Sequence, residues 1–182
     1  MTGSGLDLTT DLRAAVRDVP GFPKPGIIFK DITPVLADPA GLDAAVTGLA
    51  DWARDRAVDV VIGAEARGFL LGSAVARELG AGFALARKPG KLPYTTVRAE
   101  YLLEYGTDAL ELHTDAIDVG TRVLVHDDLL ATGGTGRALV ELVEQLGGEV
   151  VGAAFLVELA ALGGRARLGV DEVHSLLVYD GA

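Results

Sequence analysis

Residues 123–142 read VLVHDDLLATGGTGRALVEL, and the fold follows from how this stretch is divided. An apolar, β-branched run ends in His126 and two adjacent carboxylates, Asp127 and Asp128. Two leucines and a Thr/Gly run come next. Apolar residues then recur at helical spacing, with Leu139, Leu142, Val143 and Leu146 on one face. The order is strand, turn, helix. Backbone N–H groups converge where a glycine-rich turn enters a helix, and the helix dipole adds partial positive charge, a combination suited to a phosphate. Gly133 and Gly134 let the main chain approach an oxyanion, and Thr132 and Thr135 add hydroxyl donors. This is not a nucleotide-triphosphatase loop, because Gly134 stands where that motif needs lysine. Bare carboxylates beside a phosphate cradle would repel the ligand unless they accept hydrogen bonds from hydroxyls or face a cation. A sugar carrying a free diol and a terminal phosphate satisfies both halves.

The same alternation runs outward in both directions. Residues 58–65 (VDVVIGAE), 82–88 (GFALARK), 121–128, 149–159 (EVVGAAFLVEL) and 173–180 (VHSLLVYD) read as strands. Residues 38–56, opened by Asp38–Pro39, together with 68–80, closed by Gly80, and 134–148 read as helices. Strand–helix alternation predicts a doubly wound, mainly parallel α/β sheet flanked by helices, in one domain spanning 1–182. Residues 9–19 predict a short helix. Four prolines at 20, 23, 25 and 34 predict a stiff, extended segment over about 20–36. Residues 89–109 show no steady period and mix Pro, Gly, Thr and charge, which predicts a long loop, functional or disordered.

Bulk properties narrow the chemistry. With 49% hydrophobic but only 5% aromatic residues in 182, the core must come from Ala, Val and Leu. A net charge of −10 repels nucleic acid and anionic membrane, so an anionic ligand needs a local basic cluster. The absence of cysteine excludes thiolate catalysis, disulfides and Cys-based zinc sites. No stretch approaches the roughly 18 apolar residues of a membrane span. The first residues lack the basic start and apolar run of a signal peptide. These readings predict a cytoplasmic protein with neither membrane nor nucleic-acid partner. The three histidines, His113, His126 and His174, have no metal-ligand spacing.

VLVHDDLLATGGT closely resembles the phosphoribosyl-pyrophosphate (PRPP) motif of the type I phosphoribosyltransferases. PGFPKPGIIFKDITPVL (20–36), GAEARGFLLG (63–72), RKPGKLP (87–93) and LEYGTDALELHTDAI (103–117) are similar, in matching order, to the family's adenine-specific members. The resemblance covers about residues 12–180. It implies purine salvage: phosphoribosyl transfer from PRPP to adenine, giving AMP and pyrophosphate, with Mg²⁺ as cofactor and a homodimer as the assembly. It places ribose and phosphate at Asp127, Asp128, Ala131, Thr132, Gly133, Gly134 and Thr135. Pyrophosphate falls to Arg67, Arg87, Lys88 and Lys91, cations at adjoining strand ends that would stabilise the leaving anion. The segment Glu65–Ala66–Arg67 matches the pyrophosphate loop, where the family admits a non-proline cis peptide.

The resemblance also makes 89–112 a flexible hood that excludes water from the reacting centre. Within it Glu104 matches the general acid/base at the purine imidazole ring, and Tyr105 helps close the site. Arg67 joins Glu104 as a catalytic residue through leaving-group stabilisation. Adenine is read by the main chain of Ile28 and Lys30, by stacking on Phe29, and by Leu159 on the other side. Ala131 stands where oxopurine-specific members typically carry aspartate, which favours adenine. Lys30 replaces an arginine of some members, and His126 an aliphatic residue. Two other readings stay open at this level: transfer to another purine such as xanthine, or a non-catalytic PRPP-binding regulator. The acidic charge and the lack of a spare basic segment weigh against the regulator.

Overall fold

The computed structural model describes residues 8–103 and 106–181. At its centre are β3 (Val60–Ala64), β4 (Gly82–Ala86), β7 (Arg122–Leu130), β8 (Glu149–Leu159) and β9 (Val173–Tyr179). They lie in the order β4-β3-β7-β8-β9, and every neighbouring pair is parallel. Strands buried on both faces read as continuous apolar runs, which is why β3 and β8 carry VVIGA and GAAFLV.

Successive residues of these strands serve two separate cores. Ile62, Val123, Val125, Ala153 and Phe155 pack under α5 (Gly134–Gln145) through Leu139, Leu142 and Val143. Val61, Leu124, Ala154, Leu156 and Leu177 pack under α3 (Pro39–Ala53) and α4 (Gly68–Leu79) through Leu49, Leu71 and Val75. Helices on both faces of a parallel sheet are the doubly wound arrangement expected from the alternation. Asp38 caps α3 by accepting from Gly41 N at 2.7 Å, and Gly80 ends α4 at φ 70°.

Three segments differ in kind from the sequence reading. The 9–19 helix stops early: α1 is Leu8–Ala15, and β1 (Arg17–Pro20) pairs antiparallel with β2 (Ile28–Asp31). The proline-rich segment is therefore partly regular, with β2 followed by α2 (Thr33–Ala37), whose Pro34 occupies a first-turn position where no N–H is needed. The 89–112 segment is no structureless loop. It contains β5 (Thr96–Leu103) and β6 (Gly106–His113), an antiparallel ribbon. Val97, Ala99 and Tyr101 point one way and Arg98 and Glu100 the other. Ala99, Tyr101, Leu110 and Leu112 join the α5-side core. The missing helical period was a period of two. The chain closes with a short α6 (Gly164–Arg167) before β9.

Candidate active site

The opening segment folds as strand, turn and helix, but β7 runs on through Leu130. Asp127 and Asp128 are thus strand residues, held in register opposite β8 as far as Leu130↔Glu158. Gly133 takes the left-handed φ of 83° and starts α5, whose first intrahelical bond is Arg137 N to Gly133 O at 2.9 Å. A helix start leaves its leading N–H groups without an intrahelical acceptor, here those of Gly134, Thr135 and Gly136. A cavity of about 150 Å³ is lined by Arg67 and by the run Asp127 to Gly136, bringing together every phosphate- and ribose-side residue expected from the sequence.

The two carboxylates are costly to place. Burial, followed by the charge of Asp128, raises the Asp127 carboxyl well above the usual range. Burial also raises Asp128, against the opposing pull of Arg67. Asp128 N donates to Asp127 Oδ1 at 2.9 Å, and Arg67 Nε lies 2.7 Å from Asp128 Oδ2. The backbone of Gly68 makes room: a Cβ there would sit 2.9 Å from Asp127 Oδ1. Neighbouring His126 is wholly buried, its Nδ1 2.9 Å from Ala154 O and its Nε2 unpartnered. Burial lowers its pKa to about 4, so the imidazole is neutral and lends the acids no charge.

A second cavity, of about 400 Å³, shares Arg67, Asp127, Asp128 and Thr135 with the first. It adds Glu65, Ala66, Lys88, Tyr101 and Asp108. The Glu65–Ala66 peptide is cis, as the resemblance admitted. Lys88 pairs with Asp108 and donates to the Tyr101 hydroxyl at 2.9 Å, so this lysine joins the ribbon to the strand ends alongside the backbone pair of Arg87 and Glu111. Burial opposes the ammonium, but those bonds outweigh it and raise the Lys88 pKa. The other expected cations are placed differently. Arg87 forks onto Glu65 at 3.1 and 3.2 Å and donates to Lys91 O at 3.1 Å, while Lys88 N donates to Glu65 Oε2 at 2.9 Å. These bonds, with Arg87 foremost, lower the Glu65 pKa. Arg87 thus braces the 65–67 loop from behind. Glu104 and Tyr105 lie outside the described residues.

Of the expected base-side residues, Phe29 lies beside Arg67. The Arg67 guanidinium lies 5.5 Å from the Phe29 ring centroid, and Phe22 meets Phe29 edge-on at 5.2 Å. The Lys30 ammonium is committed elsewhere, 2.6 Å from Asp18 and 4.2 Å above the Tyr179 ring, which Arg13 also faces at 4.6 Å. Tyr179 ends β9 and is the register partner of Leu159, so this stack ties β2 to the end of β9 beside Leu159. His113 accepts from Tyr94 N at 3.3 Å, and His174 stacks on Trp52 at 5.2 Å. Sequence reasoning passed over Glu65 as a brace, Tyr101 and Asp108 as partners of Lys88, and Gly68. The period of two around Tyr101 was the available signal for the ribbon.

The model of the phosphoribosyl transferase domain matches residues 35–177, so the chain belongs to that family. It is 56% identical over 170 residues to the adenine phosphoribosyltransferase of Solibacter usitatus, covering 93% of this chain and 98% of the relative. The adenine phosphoribosyltransferase structure from Thermoanaerobacter pseudethanolicus superposes with a TM-score of 0.91 at 48% identity, over 94% of this chain and 99% of that one. The Saccharomyces cerevisiae enzyme, solved with adenine and an imino-altritol bisphosphate, gives 0.88 at 37% identity, over 93% and 98%. Within the family the chain falls in the adenine phosphoribosyltransferase branch, whose work is purine salvage.

Proposed function

We propose that the two joined cavities are the two halves of one PRPP site, in an enzyme that transfers the phosphoribosyl group to adenine and releases pyrophosphate. The observation that carries this reading is their shared wall of Arg67, Asp127, Asp128 and Thr135. The N–H groups and hydroxyls of 132–135 take the 5-phosphate, and Asp127 and Asp128 accept from the ribose diol. Pyrophosphate lies in the larger cavity against Arg67 and Lys88, with Arg87 and Lys91 holding the loop behind it. A nitrogen of the adenine imidazole ring forms the new bond to the anomeric carbon as the carbon–oxygen bond to pyrophosphate breaks. Positive charge grows on the ribose and negative charge on the leaving group, where fixed cations are most effective.

Ile28 and Lys30 present main-chain groups to the base. The commitment of the Lys30 side chain to Asp18 and Tyr179 supports that division of labour. Phe29 and Leu159 enclose the ring, and Glu104, on the hood with Tyr105, carries the proton of the imidazole ring. Among the described residues no three acidic or imidazole side chains converge as a metal cage. A Mg²⁺ held mainly by PRPP oxygens beside Asp127 and Asp128 would neutralise charge on the leaving pyrophosphate when bound. The mean hydropathy of +0.34 and exposed Leu70 and Leu85 support a homodimer. No helix among the described residues is long and apolar enough to cross a membrane, and we place the enzyme in the cytoplasm. The test is product formation from labelled adenine, hypoxanthine, guanine and xanthine with PRPP and Mg²⁺. AMP formation with the oxopurines left unreacted supports the reading, and turnover of xanthine in preference to adenine overturns it.

A further inference from the structure

Opposite the phosphate-side turn lies the Gly163–Gly164 turn, a segment that none of the sequence motifs includes. The two meet backbone to backbone. A Cβ built on Gly164 would stand 2.2 Å from Ala131 O and 2.8 Å from Gly133 N, and one on Gly133 would stand 2.4 Å from Gly164 O. Gly163 occupies the left-handed region at φ 65°, whereas Gly164 does not, so at Gly164 the demand for glycine is one of space alone.

The segment behind it is firmly anchored. Arg165 forks onto buried Glu158 at 2.5 and 3.1 Å, one residue from Leu159, and donates to Val173 O at 2.7 Å. Leu168 is fully buried against the first turn of α5, where a Cβ on Gly136 would lie 2.5 Å from its Cδ2. The stretch 164–168 therefore grips the cradle from both sides, at Ala131 and Gly133 through Gly164 and at Gly136 through Leu168.

We propose that Gly164 is a positioning residue for the ribose phosphate: its bare backbone, pressed on Ala131 and Gly133, holds the 131–135 turn in the shape that gathers its N–H groups. This rests on the phosphate reading of that turn. Ordinary van der Waals contact begins at 3.4 Å, so a methyl group at Gly164 must part the two backbones by about 1 Å, a displacement that costs on the order of tenfold to a hundredfold in a binding or reacting geometry. Gly163 supplies the control, since a Cβ there meets no atom within 4 Å and only strains the turn.

The experiment compares Gly164→Ala with Gly163→Ala in steady-state kinetics and thermal unfolding. Gly164→Ala is expected to raise KM for PRPP about tenfold or more, with KM for adenine at saturating PRPP within about twofold of wild type. Gly163→Ala is expected to lower the melting temperature and leave both constants in place. A wild-type PRPP KM in folded Gly164→Ala, or an equal rise in Gly163→Ala, overturns the proposal. Amide spectra of the wild-type protein titrated with ribose 5-phosphate decide the matter even if Gly164→Ala does not fold. Shifts at Thr132–Gly136 accompanied by Gly164 support the brace, and shifts at the cradle with Gly164 unmoved overturn it. Binding that leaves Thr132–Gly136 unmoved overturns the phosphate reading instead.

Discussion

His126 should make this protein acid-sensitive, and replacing it should remove a measurable share of that sensitivity. The imidazole sits in the middle of β7, fully buried beside Gly72 and the Ala154 carbonyl, with its pKa moved from 6.5 to about 4. The folded pKa lies below the unfolded one, so its contribution to stability is whole above about pH 6.5 and lost as pH falls toward 4. The unfolded chain takes the proton and the native chain does not. At about pH 4.5 linkage puts the loss near 2.5 kcal/mol relative to about pH 8, a sizeable part of a typical domain stability. Asp127 and Asp128 work in the opposite sense. Their carboxyls are raised, so their contribution grows as pH falls from neutrality toward the unfolded carboxylate range.

The assay is urea unfolding of wild type and His126→Leu at pH values from about 8 to about 4.5, reading the difference between the two curves. Losing the bond to Ala154 O adds a constant offset, and the pH-dependent part is the readout. The variant should lose about 2.5 kcal/mol less than wild type over that range. If both proteins lose the same amount, the neutral buried imidazole is not an acid-sensitive group, and the reasoning fails.

Other expectations concern the site. Asp128→Asn should raise KM for PRPP by about tenfold to a hundredfold, the worth of a charge-assisted hydrogen bond. It should hold or raise the melting temperature, because the buried charge it removes is disfavoured in the fold; a fall in melting temperature with unchanged KM counts against both statements. Arg87→Ala leaves the mostly buried Glu65 carboxylate without its fork and should cost about 1–2 kcal/mol by thermal unfolding. It should also weaken PRPP while sparing adenine, and equal losses for both substrates would show that Arg87 does more than brace the loop. Lys30→Met should change KM for adenine by less than about fivefold if the main chain reads the base, and a larger change would assign the ammonium to the ligand. Glu104→Leu should lower turnover about a hundredfold or more with PRPP affinity retained, and wild-type turnover would remove it from proton transfer.

The sequence by itself determined the layering and the cradle, because both rest on short-range patterns. Apolar runs bounded by glycine specify buried strands. A carboxylate pair and, after three more residues, Thr-Gly-Gly-Thr mark the strand end and helix start that line the smaller cavity. Only the tertiary structure decided the partners of individual charges. Arg67, Arg87 and Lys88 look alike as cations near strand ends, yet one meets Asp128, one braces Glu65 and one is held by Asp108 and Tyr101 of the ribbon. Those pairings depend on strand order and register between residues far apart in the chain, and a local pattern carries no record of either. The close approach of Gly164 to Gly133 is of the same kind. A glycine needed for its φ can be suspected from its turn, but one needed because another backbone passes within van der Waals contact is visible only once the two segments have been brought together.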